Sequence, residues 1–161
     1  TVRALELDGL FHVAPAAEAA AAPPPVQSLR ITLPADLAYV EAFTMTARQF
    51  SAMNGADSAK AAKIEEAIEE AVSLLVRYTE WKKETFLEVL LERNEKGIAM
   101  RVFPRHAEWE IPDLPEFDAE RAVETGDASG LELALLKGLM DEVELRDYGP
   151  KMREIYLLLK V

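Results

Sequence analysis

The stretch "ASGLELALLKGLMDEVEL", residues 128–145, decides the fold because it runs a helix straight into a strand. Ser129 stands three residues before Glu132, the spacing of a capping box in which each side chain meets an orphan backbone donor at the other position. The apolar run that follows predicts a short helix, and "EVELRDY" beyond it alternates as a strand. "REIYLLLKV", residues 153–161, predicts a last strand, reached through a turn near Gly149-Pro150. The feature that needs explaining is Glu132, a carboxylate in the first turn of so apolar a helix.

Further toward the N-terminus, "TFLEVLLERNEKGIAMRVF", residues 85–103, holds two apolar runs about Asn94-Glu95-Lys96-Gly97, which is hairpin chemistry. Before it lies a long helix capped by Asp57 or Ser58, with Ile64, Ala67, Ile68, Ala71, Leu75 and Tyr78 facing inward and Glu65, Glu66 and Glu69 in water. Earlier still, "SLRITLP" alternates as a strand ending at Pro34. Leu37, Val40, Phe43, Ala47 and Phe50 then recur on one helix face that Asn54-Gly55 terminates. Residues 104–128 combine prolines and carboxylates without a sustained period and predict a long loop of the kind that serves as a lid. The order strand, helix, helix, strand, strand, loop, helix, strand, strand predicts an α/β (α+β) two-layer sandwich. Its sheet is expected to be mixed and mostly antiparallel, with helices on one face.

A chain of 161 residues suits one domain with a substantial core. We place that domain at residues 27–161. Residues 1–26 form an N-terminal segment: an apolar stretch, 1–13, reading as a strand or a strand pair turned at Asp8-Gly9, then the Ala/Pro-rich linker 14–26. No run approaches the roughly 20 apolar residues of a membrane-spanning helix. The absence of cysteine excludes disulfides, thiolate metal sites and cysteine nucleophiles, and fits a cytoplasmic setting. The net charge of −11 argues against nucleic acid, whose phosphates select a basic face, and leaves protein or cation partners, or simple solubility.

Three stretches resemble the GHKL (histidine kinase-like) ATPase fold and, within it, the bacterial anti-sigma regulatory factors that are also serine-protein kinases. "IEEAIEEAVSLLVRYTEW", residues 64–81, resembles the helix that carries an acidic residue, an Asn and a His in that family. "GIAMRVFPRHAEWEIPDLPEFD", residues 97–118, sits where a strand leads into Asp-x-Gly-x-Gly, the adenine-binding box. The opening stretch sits where Gly-x-Gly-Leu-Gly-Leu starts a helix that ends in Leu-Met-Asp-Glu-Val. The resemblance covers Leu29 to Val161.

Position by position, the resemblance implies roles that this chain keeps or drops. Glu70 matches the carboxylate that acts in active members as a base toward the hydroxyl being phosphorylated. Leu74 stands where members place the magnesium-binding Asn, and it has no oxygen for a hard cation. Tyr78 takes the His position. Pro104 replaces the Asp that receives the adenine amino group, and His106 and Glu108 replace the two glycines. Gly130 is kept, whereas Ala128 and Glu132 replace the flanking glycines. With Ser129 and Glu132 closing a capping box, the helix start is expected to satisfy its own donors and to repel a triphosphate. The expectation is a degenerate nucleotide pocket, with neither ATP nor magnesium as cofactor. An active, ATP-dependent serine-protein kinase is the alternative. By resemblance the partner is a sigma factor or a STAS-type antagonist, and the chain forms a homodimer through Leu29–Phe50. A sensory or interaction domain of a larger signalling protein is a further reading.

Other chemistry-bearing residues read as ordinary. His106 reads as a surface residue, and nothing converges on His12. Trp81 and Trp109 read as anchors, with Trp109 suited to plug the pocket that the loop would cover. The loop carboxylates Glu108, Glu110, Asp113, Glu116 and Asp118 lack calcium-loop spacing, so no metal site is expected.

Overall fold

The hairpin read from residues 85–103 lies at the centre of the sheet in the computed structural model, which describes residues 27–79, 85–105, 107–110, 113–149 and 152–161. Strand β2 (Phe86–Arg93) and strand β3 (Ile98–Arg105) pair antiparallel with Val89 opposite Val102 and Leu91 opposite Met100. Asn94 makes the turn: its Oδ1 accepts from the backbone N–H groups of Lys96 and Gly97 at 2.9 and 3.0 Å. Gly97 has φ +157°, and a β-carbon there would lie 2.1 Å from the carbonyl oxygen of Leu159, so the hairpin end tolerates no side chain.

Strand β1 (Ser28–Pro34) adds to the β2 side, and strands β4 (Glu142–Asp147) and β5 (Arg153–Leu159) add to the β3 side, in the order β1-β2-β3-β5-β4. Every described pairing is antiparallel, so the mixed sheet expected from the sequence resolves to an antiparallel one. Alternation sends Leu87, Val89, Leu91, Met100, Val102, Ile155 and Leu157 to one face, where they form a single core with Phe43, Ala47 and Phe50 and with Ile64, Ile68, Leu74 and Leu75. Those helical residues come from α1 (Val40–Met53) and α2 (Ser58–Tyr78), which cover that face. On the opposite face Glu88 bridges Arg30 at 3.2 Å and Arg105 at 3.3 Å, tying three strands together, and Glu154 pairs with Arg101 at 2.8 Å.

The two long helices follow the sequence reading closely. Asp57 caps α2 by accepting from Lys60 N–H at 2.8 Å, and every residue expected inward is buried except Tyr78, which is half-buried against the core. Leu37 departs from expectation. It lies in a short 3-10 turn, Leu37–Tyr39, capped by Asp36, and is 59% exposed, because the polar cap closes one turn before the true helix starts.

Residues 104–128 are not a continuous loop. Strand β3 continues through Pro104 to Arg105, and a helix α3 (Ala119–Thr125) follows. Pro104 is tolerated because pairing with β5 extends only to Val102, leaving its missing N–H without a ladder to complete on that side. Helix α3 is capped by Asp118, which accepts from Glu120 and Arg121 N–H at 3.0 Å each, and stopped by Gly126 at φ +72°. It buries no residue, which is why no apolar period announced it. Helix α4 (Leu131–Leu139) then leads into β4 as the opening stretch required. At the β4–β5 turn, Tyr148 N–H donates to the Met152 carbonyl at 2.9 Å. No helix among the described residues is long and apolar enough to cross a membrane. The readings on residues 1–26, His12, Trp81, His106 and Pro150 lie outside the described residues.

Candidate functional site between the second and fourth helices

Helix α2 is 21 residues long, so residues four and seven apart recur on one of its faces. Glu70, Leu74, Arg77 and Tyr78 share the face on which α4 packs. Leu74 is wholly buried in the core, Glu70 and Tyr78 are half-buried, and Arg77 is exposed.

The start of α4 is not the expected capping box. Its N-cap is Gly130, at φ +86°, with no side-chain cap. Ser129 turns backward, its hydroxyl and backbone N–H both donating to Oδ1 of Asp127. Those bonds hold the Asp127 carboxyl below the usual aspartate range. Freed from capping, Glu132 turns into the protein. It is 5% exposed, and its Oε1 lies 2.6 Å from Nη1 of Arg77. A box geometry would have kept Glu132 at the helix end. The left-handed N-cap instead lets the first turn lie against α2.

The buried Glu132 leaves a mark on its neighbour. Glu70 is raised above the ordinary glutamate range, first by its own partial burial, then by the charges of Glu132, Glu69 and Glu66. Glu70 thus feels three neighbouring carboxylates from two helices, while Arg77 pairs with Glu132.

The loop is fixed from two directions. A β-carbon on Gly130 would sit 2.3 Å from the carbonyl oxygen of Pro115, so residues 113–117 lie directly on the N-cap of α4. A cleft of about 540 Å³ remains there, lined by Leu114, Phe117, Leu133 and Lys137 among others. Trp109, 3% exposed, bridges Thr79 at the end of α2. Its indole N–H donates to the Arg153 carbonyl at 2.9 Å, and Arg153 Nη1 donates back to the Trp109 carbonyl at 2.6 Å.

A family model described as the histidine kinase-like ATPase domain matches residues 33–158, from near the end of β1 to near the end of β5. The chain belongs to that family. A search of curated proteins returned no match. The histidine kinase-like ATPase domain accounts for the antiparallel sheet with its helices and for the order of elements, as the GHKL resemblance implied.

Within this histidine kinase-like ATPase domain the sequence-predicted residues divide. Glu70, Leu74, Tyr78, Gly130 and Glu132 meet at the α2–α4 junction. Ser129 stands at its rim. Pro104 is buried in the sheet opposite Leu87, and Glu108 is exposed beside Trp109. Among the described residues no group of three or more His, Asp or Glu side chains could hold a metal ion. Arg77 and Arg153, which hold Glu132 and Trp109, escaped the sequence reading. Nothing local marks an arginine whose partner lies 55 residues away, and only the juxtaposition of α2 with α4 reveals it.

Proposed function

We propose that this histidine kinase-like ATPase domain is a regulatory domain of the anti-sigma-factor type, which works by binding a protein partner rather than by turning over nucleotide. One observation carries the reading: Glu132, buried in the first turn of α4 and paired with the exposed Arg77 of α2. A helix N-terminus attracts phosphate through unpaired N–H groups and a positive dipole end. Glu132 places a fixed negative charge there, and the nearby cation is already engaged. Leu74, wholly buried and without an oxygen, supports the same reading, as does Pro104, whose side chain offers no acceptor to an adenine amino group. The residues at these positions do not fit a magnesium nucleotide. The partner that the resemblance implies is a sigma factor or a STAS-type protein, bound by a homodimer.

Calorimetry and thermal shift with ATP, with and without magnesium, test the proposal. A true ligand at a hundred times its dissociation constant stabilises a fold by about 2.7 kcal/mol, so its effect is plain. No heat and no shift are expected; a magnesium-dependent shift would overturn the reading.

The raised pKa of Glu70 favours a second reading, in which this carboxylate takes the proton of a serine hydroxyl as a general base in an active serine-protein kinase. Phosphate transfer from radiolabelled ATP to a partner, abolished by Glu70→Gln, is the result that would establish it.

A further inference from the structure

Helix α4 carries more apolar surface than the core takes from it. Five of its nine residues are leucine, yet the two residues it buries are Glu132 and Leu136. Leu139 packs against the core, whereas Leu131, Leu133 and Leu135 neither join the core nor pack against it. From its N-cap onward, the helical period sends Gly130, Leu133, Ala134 and Lys137 to a different face from Glu132 and Leu136. That face and residues 114–117 border the cleft of about 540 Å³, which is within the size range of ligand clefts. Single exposed apolar side chains are ordinary on a protein surface, but these line one concavity together with Leu114 and Phe117. No residue of α2 lines it, so the cleft is distinct from the α2–α4 junction.

Charge around the cleft selects the occupant. Residues 113–127 carry six acidic residues, all exposed, and one arginine. Among the described residues no ion pair engages Asp113, Glu116, Glu120 or Glu124. Helix α3, which bears the last two, holds Val123 between them at 88% exposure. Lys137 is the cation among the lining residues and is outnumbered. Such a field repels nucleic acid, an anionic membrane and a second copy of this chain, whose net charge is −11. It attracts a cationic partner, and the apolar lining suits leucine-sized anchors. We propose that the cleft is the docking groove for a basic amphipathic helix of a partner protein. The apolar stripe of that helix lies on Leu133, Ala134 and Phe117, and its Lys and Arg side chains lie over the acidic segment 113–124. A helix fits because α4 offers residues spaced three and four apart, against which the ridges of a second helix pack. Docking here rests on the protein-binding reading above for the class of partner; the cleft supplies the seat and the charge.

The test is an NMR titration of the full chain, with labelled methyl groups, by a synthetic amphipathic peptide of leucine and lysine and by its leucine–glutamate counterpart. The lysine peptide should shift the methyl signals of Leu114, Val123 and Leu133, and the glutamate peptide should leave them in place. Leu133→Glu should weaken binding about tenfold even though it adds negative charge. Glu120→Lys with Glu124→Lys, both on the exposed side of α3, should weaken it by a like factor at an unchanged melting temperature. If overall acidity alone drew the peptide, Leu133→Glu would tighten binding, and that result overturns the groove. Equal affinity for both peptides, no binding of the lysine peptide, or shifts confined to the surface around Met45 would overturn it too. A cleft that fails these tests leaves the protein-binding reading standing, since that reading falls separately, on magnesium-dependent binding of ATP.

Discussion

Glu132 needs Arg77 more than Arg77 needs Glu132, because the carboxylate is buried and the guanidinium side chain is 54% exposed. Removing the cation strands a charge out of water, whereas removing the charge leaves an arginine that solvent can hydrate. Arg77→Ala is therefore expected to cost about 1–3 kcal/mol by chemical denaturation, with Glu132→Gln milder. The double change Arg77→Met with Glu132→Leu should recover most of the loss. Glu70 responds to pH in the opposite sense from a paired carboxylate. Its folded pKa is raised, so its contribution favours folding below its unfolded pKa and is lost as pH rises through the folded one. Glu70→Gln should accordingly stabilise the fold at neutral pH, an advantage that shrinks as pH falls through the ordinary glutamate range. Thermal melts across that range check it, and an advantage that grew toward acid would sink the assignment.

At the scale of elements, the start of α4 separates two readings that the sequence leaves equivalent. A capping box predicts that Ser129→Ala costs about 1 kcal/mol. The hydroxyl instead serves an exposed contact with Asp127, so we expect a loss within about 0.5 kcal/mol. Gly130→Ala should cost well over 1 kcal/mol, because it combines a left-handed backbone with a clash against the Pro115 carbonyl. Denaturation midpoints of the two variants, measured together, decide the matter. The same stretch shows how far sequence reaches. The elements with an apolar period, α1, α2 and the central hairpin, were legible because each has one face to bury. Helix α3 buries nothing and was visible only through Asp118 and Gly126, punctuation easily lost among the prolines around it. The capping box failed because its spacing is local, while the fate of Glu132 is decided by Arg77 on another helix.

For the molecule as a whole, the order of elements was enough to suggest a two-layer sandwich, since short connections and antiparallel neighbours leave few ways to assemble them, and three motif-like stretches suggested the family. The candidate site was half legible. Positions 70, 74, 78, 130 and 132 could be singled out by their match to the family's motifs, but not the ion pair that joins two of the site's helices. The proposed dimer makes its own demand. Strand β1 is an edge of the sheet, and α1 exposes Met45 and Met53 at 60% and 57%. Native mass spectrometry at micromolar concentration should find dimers, and Met45→Asp with Met53→Asp should leave monomers of unchanged melting temperature. Only monomers in the parent chain would remove this part of the proposal.

Trp109 carries a last consequence. Fastened to Thr79 by a backbone bridge and to Arg153 by a reciprocal pair of bonds, it divides the segment between β3 and α3 into two short spans. A loop anchored at Trp109 cannot swing as one flap. Each span has its own small closure entropy, and the longer one beyond Trp109 can fray from Gly130 while the short one before it stays seated. Hydrogen exchange should then proceed as two separate steps, the distal one opening first and the tryptophan marking the boundary.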